Sequence, residues 1–255
     1  MAHKTYLLIY IFIFCALSSA LAEQRPISFG HNLSPSTETM AARQWTAGTY
    51  YLGTGLTDHL TVGLSPWIAL GYNLENYIIK YSHQGIAEDE VSHQLAYFHN
   101  DDRLGNRYKQ TSMAYWLTYG RNFDIDSRKY KFSTTLGYMY FWKEEIPFSL
   151  RREPFNNQAQ QVSLTTLHQF YFSDSTILQF EAGILGLNYK YPNLAAGASW
   201  LHFFGTSWSM QVGASISKRL SGPEGYAEDG AVYINYFENY MRDSIHPELQ
   251  LQYWF

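Results

Sequence analysis

The chain is almost without cysteine: one stands among the 255 residues, Cys15, and it falls in the apolar run near the N-terminus. Beyond that run there is no disulfide and no thiolate metal site, so stability in an oxidising compartment has to come from backbone pairing and packing. Long hydrophobic runs are also missing. After the first one, no stretch nears the roughly 20 consecutive apolar residues of a membrane helix, which excludes helical spanning. There is no Lys/Arg block, and 18 basic against 22 acidic residues leave a net charge of −4; no nucleic-acid partner is expected. No zinc-helix motif, phosphate loop, dinucleotide fingerprint or nucleophile elbow occurs, nor any internal repeat, and no cofactor or metal is expected.

Aromatics, in contrast, are abundant, at 18% of the chain with 22 Tyr among them. Such amphipathic rings favour the two boundaries between a membrane and water. Hydrophobic residues reach 46% while mean hydropathy is only −0.29. That combination suits a wall in which every second residue meets lipid. At the N-terminus Lys4 precedes the apolar run 6–17, and Ala20-Leu21-Ala22 fits a small-x-small cleavage site. The expectation is a secretory signal over residues 1–22, removed before Glu23. Residues 23–44 are expected to form an N-terminal segment with a short first strand near 27–30, and residues 45–255 the main domain.

The clearest pattern is at the other end. Leu249, Leu251, Tyr253 and Phe255 share one parity, and Glu248, Gln250, Gln252 and Trp254 share the other. This is the period of a strand whose two faces meet unlike surroundings. Residues 247–255, ending on an aromatic after alternating apolar positions, resemble the terminal strand of Gram-negative outer-membrane β-barrels. The resemblance implies an assembly signal in Leu249, Leu251, Tyr253 and Phe255, with the barrel assembly machinery, outer-membrane lipids and lipopolysaccharide as partners and the outer membrane as location.

The same period recurs along the chain: the runs 44–56 and 59–70 read as the two strands of a hairpin about Thr57-Asp58, and 84–90, with Gly85 and three acids, as a solvated turn. Tyr130, Phe132, Leu136, Tyr138, Tyr140 and Trp142 form an aromatic-rich row opposite Lys129 and Lys131. Two lysines opposite such a row cannot both lie in a dry core, so the inner side is wet. Trp208, Met210, Val212, Ala214 and Ile216 likewise oppose Ser209, Gln211, Ser215 and Ser217. About eleven clear strands and a weak one, with the even numbers of single-chain bacterial barrels, give an all-β, closed antiparallel transmembrane barrel of twelve strands, with ten or fourteen as alternatives. The expected lumen lining is Lys80, Lys129, Lys131, Gln179, Glu181, Gln211, Glu248, Gln250 and Gln252. Strand-end aromatics such as Tyr140, Trp142, Trp208, Tyr253 and Phe255 are candidate girdle residues.

Catalytic signals are weak. His93, His99, Asp101 and Asp102 are close in sequence near a strand end and could activate water, though polar residues at a wet rim are the commoner explanation. The His-x-Ser-Asn-Gly stretch of the outer-membrane phospholipases is absent. Gly30-His31-Asn32-Leu33-Ser34 is the nearest approach and departs from it in order and spacing. The expected role is a narrow pore or small-solute transport barrel, slim or plugged because twelve strands enclose little space. The alternatives are a hydrolase of lipid or lipopolysaccharide and a structural or adhesive barrel acting through its loops 143–160 and 218–246.

Overall fold

The computed structural model describes residues 26–31, 33–71, 75–85, 89–100, 110–125, 128–143, 158–188, 192–219 and 244–255. Twelve antiparallel strands, each paired with its neighbours in sequence, close into a barrel. They are β1 (Trp45–Gly48), β2 (Leu52–Thr57), β3 (Leu60–Leu64), β4 (Glu75–Gln84), β5 (Asp89–Asn100), β6 (Gln110–Ile125), β7 (Arg128–Lys143), β8 (Gln158–Ser173), β9 (Thr176–Leu185), β10 (Asn193–Phe204), β11 (Trp208–Arg219) and β12 (Ser244–Trp254). Closure is made by β1 on β12, in the register Thr46↔Trp254 to Gly48↔Gln252. It removes the free edges that an open sheet would present. At one end the connections are short (58–59, 85–88, 126–127, 174–175, 205–207), and at the other they run as long as 144–157 and 220–243.

The wall is two-faced. Along β11, Trp208, Val212 and Ile216 are exposed outside while Ser209, Gln211, Ser215 and Ser217 are buried inside. Along β7, Leu136 and Tyr138 point out while Lys131, Ser133 and Thr135 point in.

Three stretches differ from the sequence expectation. Residues 27–30 form no strand; their only sheet-like contact is an isolated bridge from Gly30 to Pro35. Residues 26–31 and 33–44 instead run inside the barrel as the two arms of a hairpin. Gly30 turns at φ 101°, a conformation that favours glycine, and the turn is closed by His31 N–H to Ser34 O (3.0 Å) and Ser36 N–H to Phe29 O (3.1 Å). The Ile27/Phe29 alternation that reads as a strand is satisfied within the lumen, where Phe29 stacks on Trp254 at 5.3 Å. The returning arm passes β2 at Gly55, where a Cβ would lie 2.0 Å from Ala41 O.

Second, the run 44–56 is broken at residues 49–51 into β1 and β2, joined by a tight turn with Gly48 N–H to Tyr51 O at 3.1 Å. Third, the run 59–70 stops at Leu64, and a short helix α1 (Pro66–Gly71) follows. Pro66 has no N–H for a ladder, and its fixed φ suits the first helical position. Asn76 clamps the junction, accepting from Ser65 N–H (2.6 Å) and donating to Ser65 O (3.0 Å). With β1 to β3 only four to six residues long, the wall is low on this side, and α1 sits on top of it.

Candidate functional site in the lumen

The hairpin meets the inner wall in three layers. At its tip, His31 Nδ1 is 2.7 Å from Glu181 Oε1 on β9, and Nε2 is 3.3 Å from Glu248 Oε2 on β12. Ser215 donates to the same Glu181 oxygen at 2.6 Å. The backbone joins in: Leu33 N–H donates to Glu181 Oε2 (3.0 Å), and Gln211 Nε2 donates to Gly30 O (3.0 Å). A Cβ at Gly197 would meet His31 Cε1 at 2.9 Å and Glu181 Oε1 at 2.8 Å, so this wall position has to be bare. Burial works against charge on His31, but the hydrogen bond to Glu181 and the charges of Glu181 and Glu248 outweigh it and raise the pKa to about 9. The tip therefore carries an imidazolium held between two acids.

Nearer the short-turn end, a chain of amides takes over. Gln169 donates to Gln179 Oε1 (2.9 Å) and to Ser28 Oγ (3.0 Å), Ser28 donates to Gln179 Oε1 (3.1 Å), and Gln179 donates to Gln211 Oε1 (2.8 Å). The returning arm is tied by charge. Lys131 Nζ lies 2.6 Å from Glu90 and 3.5 Å from Glu38, Thr37 bonds Glu90 as well, and Lys80 donates to Ser36 Oγ at 3.3 Å. Networks of this kind in low dielectric stiffen what they join, provided their members are satisfied.

Of the expected lumen residues, Lys80, Lys131, Gln179, Glu181, Gln211, Glu248, Gln250 and Gln252 are all buried inside the barrel. Lys129 shares their parity but is exposed, at the mouth of a cavity of about 450 Å³ shared with Pro26, Glu38, Asn122 and Asp124. Leu249, Leu251 and Tyr253 lie on the outer face. Trp254 turns inward and donates to Ser209 Oγ at 2.9 Å. Trp208 and Tyr253 pack together outside at 4.8 Å; the side chain of Trp142 lies outside the described residues.

His93 and His99 are not brought together. Both are on the outer face of β5, six residues apart, which is about 20 Å at strand rise. His93 Nδ1 pairs with the Tyr115 hydroxyl (2.7 Å) and His99 Nδ1 with Thr111 Oγ1 (3.0 Å). Asp101 and Asp102 lie outside the described residues. Among the described residues no group of three His, Cys, Asp or Glu could hold a metal.

Sequence reasoning missed His31 and Glu90. Glu90 reads as part of an acidic turn but is the first inward position of β5. His31 reads as a motif that fails, and its only advance signal is a histidine next to glycine in a segment with no other clear pattern. The grouping of Ser215, His31 and Glu181 has the residue types of a hydrolytic triad, and Ser215 Oγ lies 3.2 Å from His31 Nδ1, yet that nitrogen is closer to Glu181, Nε2 faces Glu248, and Ser215 donates to Glu181. A charged imidazole cannot take a serine proton, so the group anchors the hairpin. Set against protein-family models, curated proteins and solved structures, the chain matches none of them.

Proposed function

We propose that the protein is an integral barrel of the Gram-negative outer membrane, of the transport class, whose narrow lumen small solutes cross only when the N-terminal hairpin gives way. One observation carries the reading: the outer face bears apolar and aromatic side chains in the open, while the inner face carries buried amides and charges. Tyr77, Tyr97 and Tyr138 stand toward the long-loop end and Phe123, Phe170, Phe172, Phe204 and Trp208 toward the short-turn end, with Ile79, Leu95, Leu136, Leu164 and Val212 between them, all exposed. An outward apolar band flanked by aromatic girdles, short turns on one side and long loops on the other is how a lipid-spanning barrel is built. The terminal parity of Leu249 to Phe255 supports assembly by the barrel machinery, and the outer band supports contact with lipid and lipopolysaccharide.

The hairpin argues against a permanently open pore. Its anchors are buried, and the lumenal cations His31, Lys80 and Lys131 stand among Glu38, Glu90, Glu181 and Glu248, which leaves little preference for solutes of one sign. Planar-bilayer recording of the full chain tests this. The wild type is expected to insert and stay quiet, and Glu181→Gln combined with Glu248→Gln, which weakens the grip on His31, is expected to give discrete openings. Steady conductance from the wild type, or an inserted double variant silent at every voltage, would sink the gating. Failure of any variant to insert would sink the membrane assignment.

A further inference from the structure

Above the hairpin, on the long-loop side, lies a second cavity of about 130 Å³ whose walls include Phe29, Ile68, Ile78, Phe98, Trp116 and Met139. Amides and charges dominate the inner wall elsewhere, with smaller apolar clusters at Ile177, Leu201 and Phe203 and at Met40, Tyr51 and Trp254. Ile68 comes from α1, and Ala96, Phe98 and Met139 from the walls, and together they form one packed apolar cluster. The charged groups at its edge are already engaged: His31 with Glu181 and Glu248, Glu38 with Lys131, and Lys80 with Ser36. Tyr51 also lines the chamber. It is 4% exposed, and its hydroxyl finds no hydrogen-bond partner among the described residues. A buried hydroxyl left unpaired is costly, and a ligand that bonds to it removes that cost.

We infer that this chamber is a binding site for a slim, uncharged hydrocarbon segment of about six carbons with one hydrogen-bonding group that meets Tyr51; an engineered apolar cavity of roughly 150 Å³ takes benzene. The segment is either a free small molecule or the end of a membrane lipid chain. The second source rests on the outer-membrane reading and is favoured by the low wall of β1 to β3, where the chamber lies behind α1 and residues 50–51. A free molecule requires only the fold.

The probes are 1-hexanol and hexane, titrated calorimetrically into the full chain in nanodiscs of either straight-chain or bulky, methyl-branched lipid. Saturable binding in both discs identifies a free ligand. Binding in branched-lipid discs that is suppressed in straight-chain ones identifies a lipid chain as the resident. Tyr51→Phe keeps the volume and is expected to lower hexanol affinity about fivefold while leaving hexane unchanged. Ala96→Leu and, separately, Ile78→Phe fill the chamber and are expected to abolish both, with heat-modifiable gel mobility reporting that each variant is folded. No saturable binding in either disc, or binding untouched by both filling variants, overturns the site. A chain that fails to enter discs at all counts against the membrane reading instead, and the same titration in amphipathic polymer then tests the chamber alone.

Discussion

His31 is the residue on which the interior turns, because removing it leaves Glu181 and Glu248 buried at the tip with no countercharge. Breaking a buried pair by deleting one partner typically costs about 3–5 kcal/mol. His31→Ala is expected to lose stability on that scale, seen as a lower midpoint in chemical unfolding. The wild type should show a matching pH dependence. His31 is raised from 6.5 to about 9 in the folded protein, so the native state binds its proton more tightly than the unfolded chain does. The stabilisation is complete below about pH 6.5, declines as pH rises, and is gone once pH passes about 9. Unfolding midpoints measured from pH 6 to 10 should fall over that window in the wild type and stay flatter in His31→Ala. A flat wild-type profile would mean that the imidazole is not held as a cation. Gly197→Val is expected to act in the same direction by pushing the ring off Glu181.

Among the elements, β12 best illustrates what a strand sequence reveals and what it hides. Thr49 N–H donates to Leu251 O and Leu251 N–H to Thr49 Oγ1, so the backbone of the odd residues faces β1; Trp254 N–H donates to Ser207 O, so that of the even residues faces β11. Pro247 is odd and lies beyond the short β1, on an edge with no strand partner among the described strands. Its missing N–H costs nothing there. Pro247→Ala is expected to change stability by about 0.5 kcal/mol or less, whereas Gln250→Pro removes a bond of the β11–β12 ladder and should sharply lower the heat-modifiable fraction on refolding. Equal yields would mean that the edge is placed wrongly. Parity alone was enough to read which residues of β7, β11 and β12 face in, since period two needs no knowledge of the partner strand. It was not enough for β10, whose first half, Ala195-Ala196-Gly197-Ala198, has no alternation to read and is held in register by β9 and β11. Nor could it distinguish residues 27–30, apolar on alternate positions, from a strand, because a lumenal hairpin sorts its side chains by the same rule. The expected total of twelve strands therefore matches although one member was misplaced, the split of 44–56 making up for the strand that 27–30 does not form.

For the whole molecule, the physical question is what bathes the outer face. In the free chain Leu136, at the middle of β7, is 48% exposed. If water surrounds it, Leu136→Arg is an ordinary surface substitution, worth within about 0.5 kcal/mol. If hydrocarbon surrounds it, an arginine at mid-depth costs about 2–4 kcal/mol, and the same change near either boundary costs about 0–1 kcal/mol. Tyr130→Arg supplies that comparison, because Tyr130 lies on the same outer row two residues from the short-turn end of the strand. The expected outcome for reversible unfolding from lipid vesicles is a large loss for Leu136→Arg and a small one for Tyr130→Arg. Equal, small losses at both depths would mean that the apolar band faces water or another protein, and the outer-membrane assignment would fall while the closed barrel and its hairpin stood.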